Sequence, residues 1–395
     1  MQNPAQQAVS EVNQAVPPAV SGEFNPPQLG RLTLWPPVVL APMAGITNAP
    51  FRRLCRHFGA GLYVSEMITA RFLASREPRA LRQAAFHESE SPRSIQLYGV
   101  DPYHVGEAVA VLREEIGVDH IDLNFGCPVR KVTKKGGGAA IPLKPRLLGN
   151  IVRAAVSRAG EIPVTLKFRV GIDDSLPTYL STGRVAEEEG CAAVALHART
   201  AAQYYDGEAR WDFIRRLKET VRIPVLGNGD IWEAGDALRM MRQTGCDGGV
   251  IGRGCLGRPW LFRDLAAVFE GRNPGNPPNS GEIAKIMRLQ LQMSVDWFGE
   301  RLAVSTFRKH AHWYLKDFPD LKPLRDRLVR ITAQAELDTL LGEMKPDIPF
   351  PVNALRVPRG KTNPPQKVQL PPGYLDQLDD DRPPGADAED MTSGG

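Results

Sequence analysis

The sequence predicts an α/β protein built as a (β/α)8 TIM barrel, followed by a small all-α helical bundle and flanked by disordered tails. Three observations carry that expectation. Short apolar runs bounded by Gly or Pro recur eight times between residues 38 and 254, with helix-like patterns between them. The stretch NPGNPPNSG at 273–281 has the composition of a linker. Beyond it, residues 282–345 carry three long helical patterns with no strand signal.

The eight runs are VVLAPM at 38, LYVSEM at 62, RSIQLYG at 93, HIDLNFG at 120, VTLKFRV at 164, AVALHAR at 193, IPVLGNG at 223 and GGVIGRG at 248. Between them lie segments such as KPRLLGNIVRAAVSRAG, a helical pattern closed by Gly. Strand and helix in strict alternation specify a closed parallel sheet, assigned to residues 31–272. In such a barrel the chemistry sits at the C-terminal ends of the strands, and phosphate is often held after the seventh and eighth. The bundle patterns centre on KIMRLQLQMSVDWFG, RLAVSTFRKHAHWYLKDF and KPLRDRLVRITAQAELDTLLGEM. Residues 1–30 and 346–395 read as disordered and without a catalytic role, the second carrying ten prolines and an acidic run from Asp376 to Asp390.

Composition narrows the function classes only slightly. A hydrophobic content of 42% and a charged content of 24% exclude fibres and full disorder. A net charge of +4 over 395 residues is too small to imply a nucleic-acid partner, so any such partner must be argued from local clusters. The five cysteines, Cys55, Cys127, Cys191, Cys246 and Cys255, have neither disulfide-framework nor metal-ligand spacing, so no metal is expected. With no membrane-length apolar run and no basic leader before an apolar stretch, the expectation is a cytoplasmic monomer.

Polar residues at strand ends point to a ligand. APMAGIT at 41–47 follows the first strand, and its small residues allow close approach of a flat molecule, although a tight turn uses similar residues. Gln96 ends the third strand, Lys167 and Arg169 lie in the fifth, and His197 ends the sixth. A buried lysine needs an anion, so Lys167 is the strongest of these, against the alternative of a satisfied core network. GNGD at 227–230 and GRG at 252–254 close the last two strands, where backbone N–H groups and Arg253 can hold a phosphate.

Cys127 follows the fourth strand in DLNFGCPVRKVTKKGGG. A thiol with a free pKa near 8.5 is mostly protonated at neutral pH and can act as a general acid. The alternative, an inert half-buried cysteine, is the expected state of the other four. Residues 123–160 hold eight Lys or Arg and no acid, which makes Arg130, Lys131, Lys134 and Lys135 candidates for RNA phosphate. Residues 301–330 hold eight basic residues, among them Arg308 and Lys309, against three acidic ones. His310, His312, Trp313 and Tyr314 interleave with them, and the two larger aromatics are more often core than RNA contacts.

The strings APMAGITNAPFRRLC, SEM at 65–67, IQLYG, DLNFGCPVRKV, VTLKFRVG, LHART, PVLGNGDI and GRGCLGRPWLF together resemble the tRNA-dihydrouridine synthases from about Val38 to Phe262. RKHAHWYLKDFP at 308–319 is similar to the helical domain of the bacterial B-type subfamily, and NxGCP is the most specific element. The resemblance implies a barrel that binds FMN and a helical domain that holds tRNA. It implies FMN contacts from Pro42, Met43, Ala44, Gln96, Lys167, His197, Asn228, Gly229, Asp230, Gly252 and Arg253. It also implies reduction by NADPH or NADH, hydride delivery to uracil C6 and protonation of C5 by Cys127. The chain departs from the family in its run GGGAAIPLKP after the basic loop. Two other readings are an FMN barrel reducing a small molecule, which leaves the basic helical unit unexplained, and a non-catalytic RNA-binding barrel, which leaves Cys127 and the phosphate glycines unexplained.

Overall fold

The structure, a computed structural model, describes residues 13, 15–360 and 362–389. The disorder expected of residues 1–12 and 390–395 lies outside the described residues.

All eight apolar runs form parallel strands of one closed barrel. After a short antiparallel hairpin, β1 (Gln28–Leu29) and β2 (Leu32–Thr33), come β3 (Val38–Leu40), β4 (Leu62–Tyr63), β5 (Met67–Thr69) and β6 (Ser94–Tyr98). The remainder are β7 (His120–Phe125), β8 (Val164–Arg169), β9 (Ala193–His197), β10 (Val225–Asn228) and β11 (Gly248–Ile251). Their order is β4-β3-β11-β10-β9-β8-β7-β6-β5, so the second expected strand is split and its halves close the ring from opposite sides. Val64 N–H still donates to Leu40 O at 3.3 Å, whereas Ser65 N–H donates to Ser94 O at 3.2 Å. The backbone changes partners between these two residues, and the Ser65 hydroxyl, which accepts Gln96 N–H at 3.1 Å, secures the second half.

Side chains of period two fill the barrel. At its N-terminal end Val39, Leu62, Ala193, Ala195, Leu226 and Val250 form an apolar cluster that Leu29 and Leu34 of the hairpin segment plug. Outside, Arg52 on the helix Ala49–His57 pairs bidentately with Glu90 at 2.7 and 3.0 Å, and both side chains are 1% exposed.

The helical unit opens at Ser280–Phe298, where Asn279 and Glu282 form a reciprocal capping box. Its own core includes Met287, Leu291, Phe307, Tyr314 and Leu328, together with Trp260 from the barrel side. Trp313 and Tyr314 are buried, so the packing role of those aromatics prevails over RNA contact, and His310 is buried with them. Gly257, just after β11, lies so close to the helix Glu300–Tyr314 that a Cβ there would sit 2.4 Å from the Trp313 carbonyl carbon. This backbone contact seats the bundle beside the barrel mouth.

Both described tail segments differ from the expected disorder. Ala19 N–H donates to Val268 O at 2.9 Å, and Glu23 pairs with Arg242 at 2.6 Å, so the ordered chain starts well before residue 31. After residue 346, Arg356 pairs with Glu233 and Asp236, each at 3.0 Å, and Arg359 donates to Trp313 O and Ala354 O, each at 2.9 Å. Residues 362–389 continue as a strap along the barrel flank. Extended, proline-rich chain has no periodicity to announce such packing; its order comes from long-range contacts.

Glu90→Ala would leave the Arg52 guanidinium buried and unpaired. Urea denaturation is expected to show a loss of about 3–5 kcal/mol, and a loss below about 1 kcal/mol would mean the pair is not structural.

Candidate functional site

Above the apolar plug, the inward positions of β6, β7 and β8 are polar and bonded to one another. Ser94 Oγ lies 2.7 Å from His120 Nδ1, and His120 Nε2 lies 3.0 Å from Thr165 Oγ1. Thr165 donates its hydroxyl proton to Asp122 Oδ1 at 2.6 Å, so it must accept from His120. His120 is therefore the neutral Nε2–H tautomer, in keeping with burial that lowers its pKa to about 4. Asp122 Oδ2 accepts from Gln96 Nε2 at 2.7 Å, and Gln96 Oε1 accepts from Asn124 Nδ2 at 2.8 Å. Asn124 Oδ1 then accepts the N–H groups of Gly126 at 3.1 Å and Cys127 at 3.2 Å. One hydrogen-bonded chain thus runs from the barrel interior to the backbone of the cysteine.

A cavity of about 720 Å³ occupies the mouth, large enough for a cofactor or nucleotide. Pro42, Met43 and Ala44 line it from the loop after β3, and Gln96, Lys167 and His197 from strand ends. Asn228, Gly229 and Asp230 line it after β10, and Gly252 and Arg253 after β11. Cys127 is half-buried on the same wall, while the other four cysteines are buried.

Cations dominate the cavity. Lys167, Arg169, Arg199 and Arg253 all lower the His197 pKa further, after burial has already pushed it well down, so that imidazole is neutral. Burial, aided by Arg169 and opposed by Asp122, lowers Lys167 to about 8. Among the described residues no hydrogen bond or ion pair meets the Lys167 ammonium. Asp122 is raised to about 6 by burial, with Thr165, Gln96 and Lys167 pulling the other way. Arg253 stacks over Tyr205 at 4.4 Å and Trp232 at 5.5 Å. Such a wall needs an anion, and Gly229, Gly252 and Gly254 line the cavity beside it.

Some expected contacts have other partners. Asp230 pairs with Arg199 at 2.8 Å and accepts Ala209 N–H at 2.7 Å, so it holds the 206–209 loop. Asn228 Nδ2 donates to Val250 O at 2.7 Å. Of the basic residues, Arg130 and Lys131 line the cavity, and Arg130 also donates to Gln369 at 2.6 Å. Lys134 is exposed, whereas Lys135 faces Asp387 at 3.4 Å. Arg308 is tied to Ile331 O at 2.8 Å, and Lys309 reaches the carbonyl of Gly45. Sequence reading missed Asn124, Asp122, Arg199 and Tyr205 as site residues; the first two follow from period two once Cys127 fixes which face is inward. It also missed Asn363 and Gln366 of the strap, which carry no signal.

A family model described as "Dihydrouridine synthase (Dus)" matches residues 39–347. A probable tRNA-dihydrouridine synthase of Mycobacterium tuberculosis is 53% identical over 379 residues, covering 93% of this chain and 97% of the relative. Another from Mycobacterium leprae is 50% identical over 387 residues, covering 90% and 100% respectively. The tRNA-dihydrouridine synthase B of Pseudomonas aeruginosa is 39% identical over 307 residues, covering 77% and 91%.

Lys167 has a folded pKa below its ordinary 10.5, so the ligand-free protein carries a desolvation penalty below about pH 8 that is relieved as pH rises toward 10.5. Lys167→Met should therefore stabilise the ligand-free protein by about 1–2 kcal/mol at pH 7, the cavity's access to water discounting the full shift. That gain should shrink through the same window in thermal melts, and a gain independent of pH would refute the assignment.

Proposed function

The chain belongs to the dihydrouridine synthase family, and on that footing we propose that it reduces the C5–C6 double bond of uridines in tRNA, with FMN in the barrel mouth, NAD(P)H as reductant and Cys127 as proton donor. The observation that carries this reading is the placement of the half-buried Cys127 on the wall of a cation-lined cavity, its backbone held by Asn124. FMN, when bound, supplies the hydride that adds to C6. The proton that completes the product must reach C5 from a group beside the base, and the Cys127 thiol on the cavity wall is placed to give it.

The residues fit FMN. Arg253 and the backbone at Gly229, Gly252 and Gly254 suit a phosphate, and Met43, Ala44 and Pro42 offer a flat apolar face. Lys167, with no protein partner among the described residues, stands ready to balance negative charge on the ring system. Neutral His197 can donate one N–H without adding to the local positive charge. Holding these groups in advance avoids reorganisation when charge develops.

A uridine must leave its stack to enter the cavity. Arg130 and Lys131 flank the entrance, and Arg301, Lys322 and Arg330 are exposed on the helical unit, which supports a phosphate-reading surface beside the mouth. Lys309, bonded to Gly45 in the loop after β3, couples that unit to the entrance. The protein acts as a monomer in the cytoplasm, where tRNA is matured.

Cys127→Ala should lower tRNA-dependent turnover by about 10²–10⁴-fold while leaving flavin reduction by NADPH intact. Anaerobic stopped-flow absorbance separates the two half-reactions, and wild-type reoxidation by tRNA in the variant would rule out the cysteine as the acid.

A further inference from the structure

We propose that Tyr374, in the C-terminal strap, is a positioning residue for Cys127. The family match ends at residue 347, so the strap adds to the site from outside that span. Tyr374 is only 7% exposed and packs with Ala140, Leu143 and Ile172. Its hydroxyl is shared between the carbonyls of Gly136 at 3.3 Å and Ala140 at 3.2 Å. The Lys144 ammonium lies 4.7 Å from its ring centroid and 3.3 Å from Asp380, which ties the far side of the same loop to the strap.

The glycine run lies between this strap and the cysteine. On the strap side, a Cβ on Gly136 would come within 3.0 Å of the Tyr374 ring and 3.1 Å of Pro384. On the inner side, Gly138 has φ +56°, and a Cβ there would lie 2.6 Å from Cys127 O and 3.1 Å from Cys127 Cβ. Ala139 N–H donates to Cys127 O at 3.1 Å. Glycines have the greatest backbone freedom of any residue, so what packs on this run adds to the local hydrogen bonds of Gly136 N–H to Thr133 O at 2.9 Å and Gly137 N–H to Val132 O at 3.2 Å in fixing it. Asn124 holds the N–H of Cys127, Ala139 at the end of the glycine run holds its carbonyl, and Tyr374 packs on the start of that run.

The strap has a firm end anchor. Glu389, 1% exposed, accepts Val100 N–H at 2.9 Å and faces His104 at 2.7 Å. Next to it, Tyr98 donates to Ala388 O at 2.9 Å, and Tyr98 Oη in turn lies 2.1 Å from where a Gly137 Cβ would be. Strap, β6 and catalytic loop therefore close on one another. Displacing a reacting group by about 1 Å can cost about 100-fold in rate, so a clamp of this kind acts on turnover and leaves substrate affinity alone.

The inference rests on Cys127 being the acid, and the test separates the two. Full-length Tyr374→Ala and Tyr374→Phe are compared with the unaltered protein by iodoacetamide labelling of Cys127, the one cysteine that is not buried, across a pH series. Labelling of Tyr374→Ala should be about tenfold faster with a shifted pH profile, and tRNA-dependent kcat about tenfold lower at unchanged KM, with flavin reduction unaltered. Tyr374→Phe, which keeps the ring, should fall between; if Tyr374→Ala does not fold, Tyr374→Phe and Glu389→Gln carry the test with the same signs. Labelling and kcat equal to the unaltered protein in the folded variants would overturn the clamp. Full tRNA turnover in Cys127→Ala would sink the acid role instead, leaving the labelling result to report on the clamp.

Discussion

The Asn124 side chain is the joint on which the site depends. Its Nδ2 donates into the buried chain Gln96–Asp122–Thr165–His120–Ser94, and its Oδ1 accepts two N–H groups of the turn that carries Cys127. Each member of that chain has little freedom to choose another partner, because an unsatisfied polar group inside a barrel costs about 1–3 kcal/mol. The geometry of the strands is thereby transmitted to a loop that has no regular structure of its own. A cysteine needs such support to be a dependable acid, since the energetic value of proximity is lost if the group wanders.

Charge sets the second constraint. Four cationic side chains converge on the mouth, and burial of Lys167 and Arg169 holds both below their ordinary pKa values. Their self-repulsion is tolerable only if an anion completes the site. Asp230 does part of this by pairing with Arg199, and Tyr205 and Trp232 provide aromatic faces for Arg253. The remaining positive charge faces the cavity, where an anionic ligand would balance it.

How much of this could be read from the sequence depended on periodicity. The barrel was legible because eight short apolar runs bounded by Gly or Pro alternate with helical patterns, and polar residues within those runs place Gln96, Lys167 and His197 at the mouth. The split between Val64 and Ser65 was not, because a strand that changes neighbours keeps its local pattern. Asp122 looked like one more residue of an apolar run, and only the inward register of β7 reveals it as the hub of a polar chain. The strap was invisible for a different reason. Prolines and acids spread over residues 346–389 have the composition of disorder, and their order arises from partners more than 200 positions away, such as Val100 for Glu389 and Gly136 for Tyr374. The aromatic residues around His310 point the same way, since their packing depends on which helix face meets the barrel.

The most direct measurement on the central claim is a visible absorption trace of the purified protein, bleached without oxygen by NADPH and then given unmodified tRNA. A yellow flavin band that bleaches and returns with that tRNA, at a rate that falls steeply with salt, is the predicted result. Return of the band with small enones but not with tRNA would contradict the account in favour of a small-molecule reductase, and no flavin band after FMN is supplied would contradict the reading of the cavity itself.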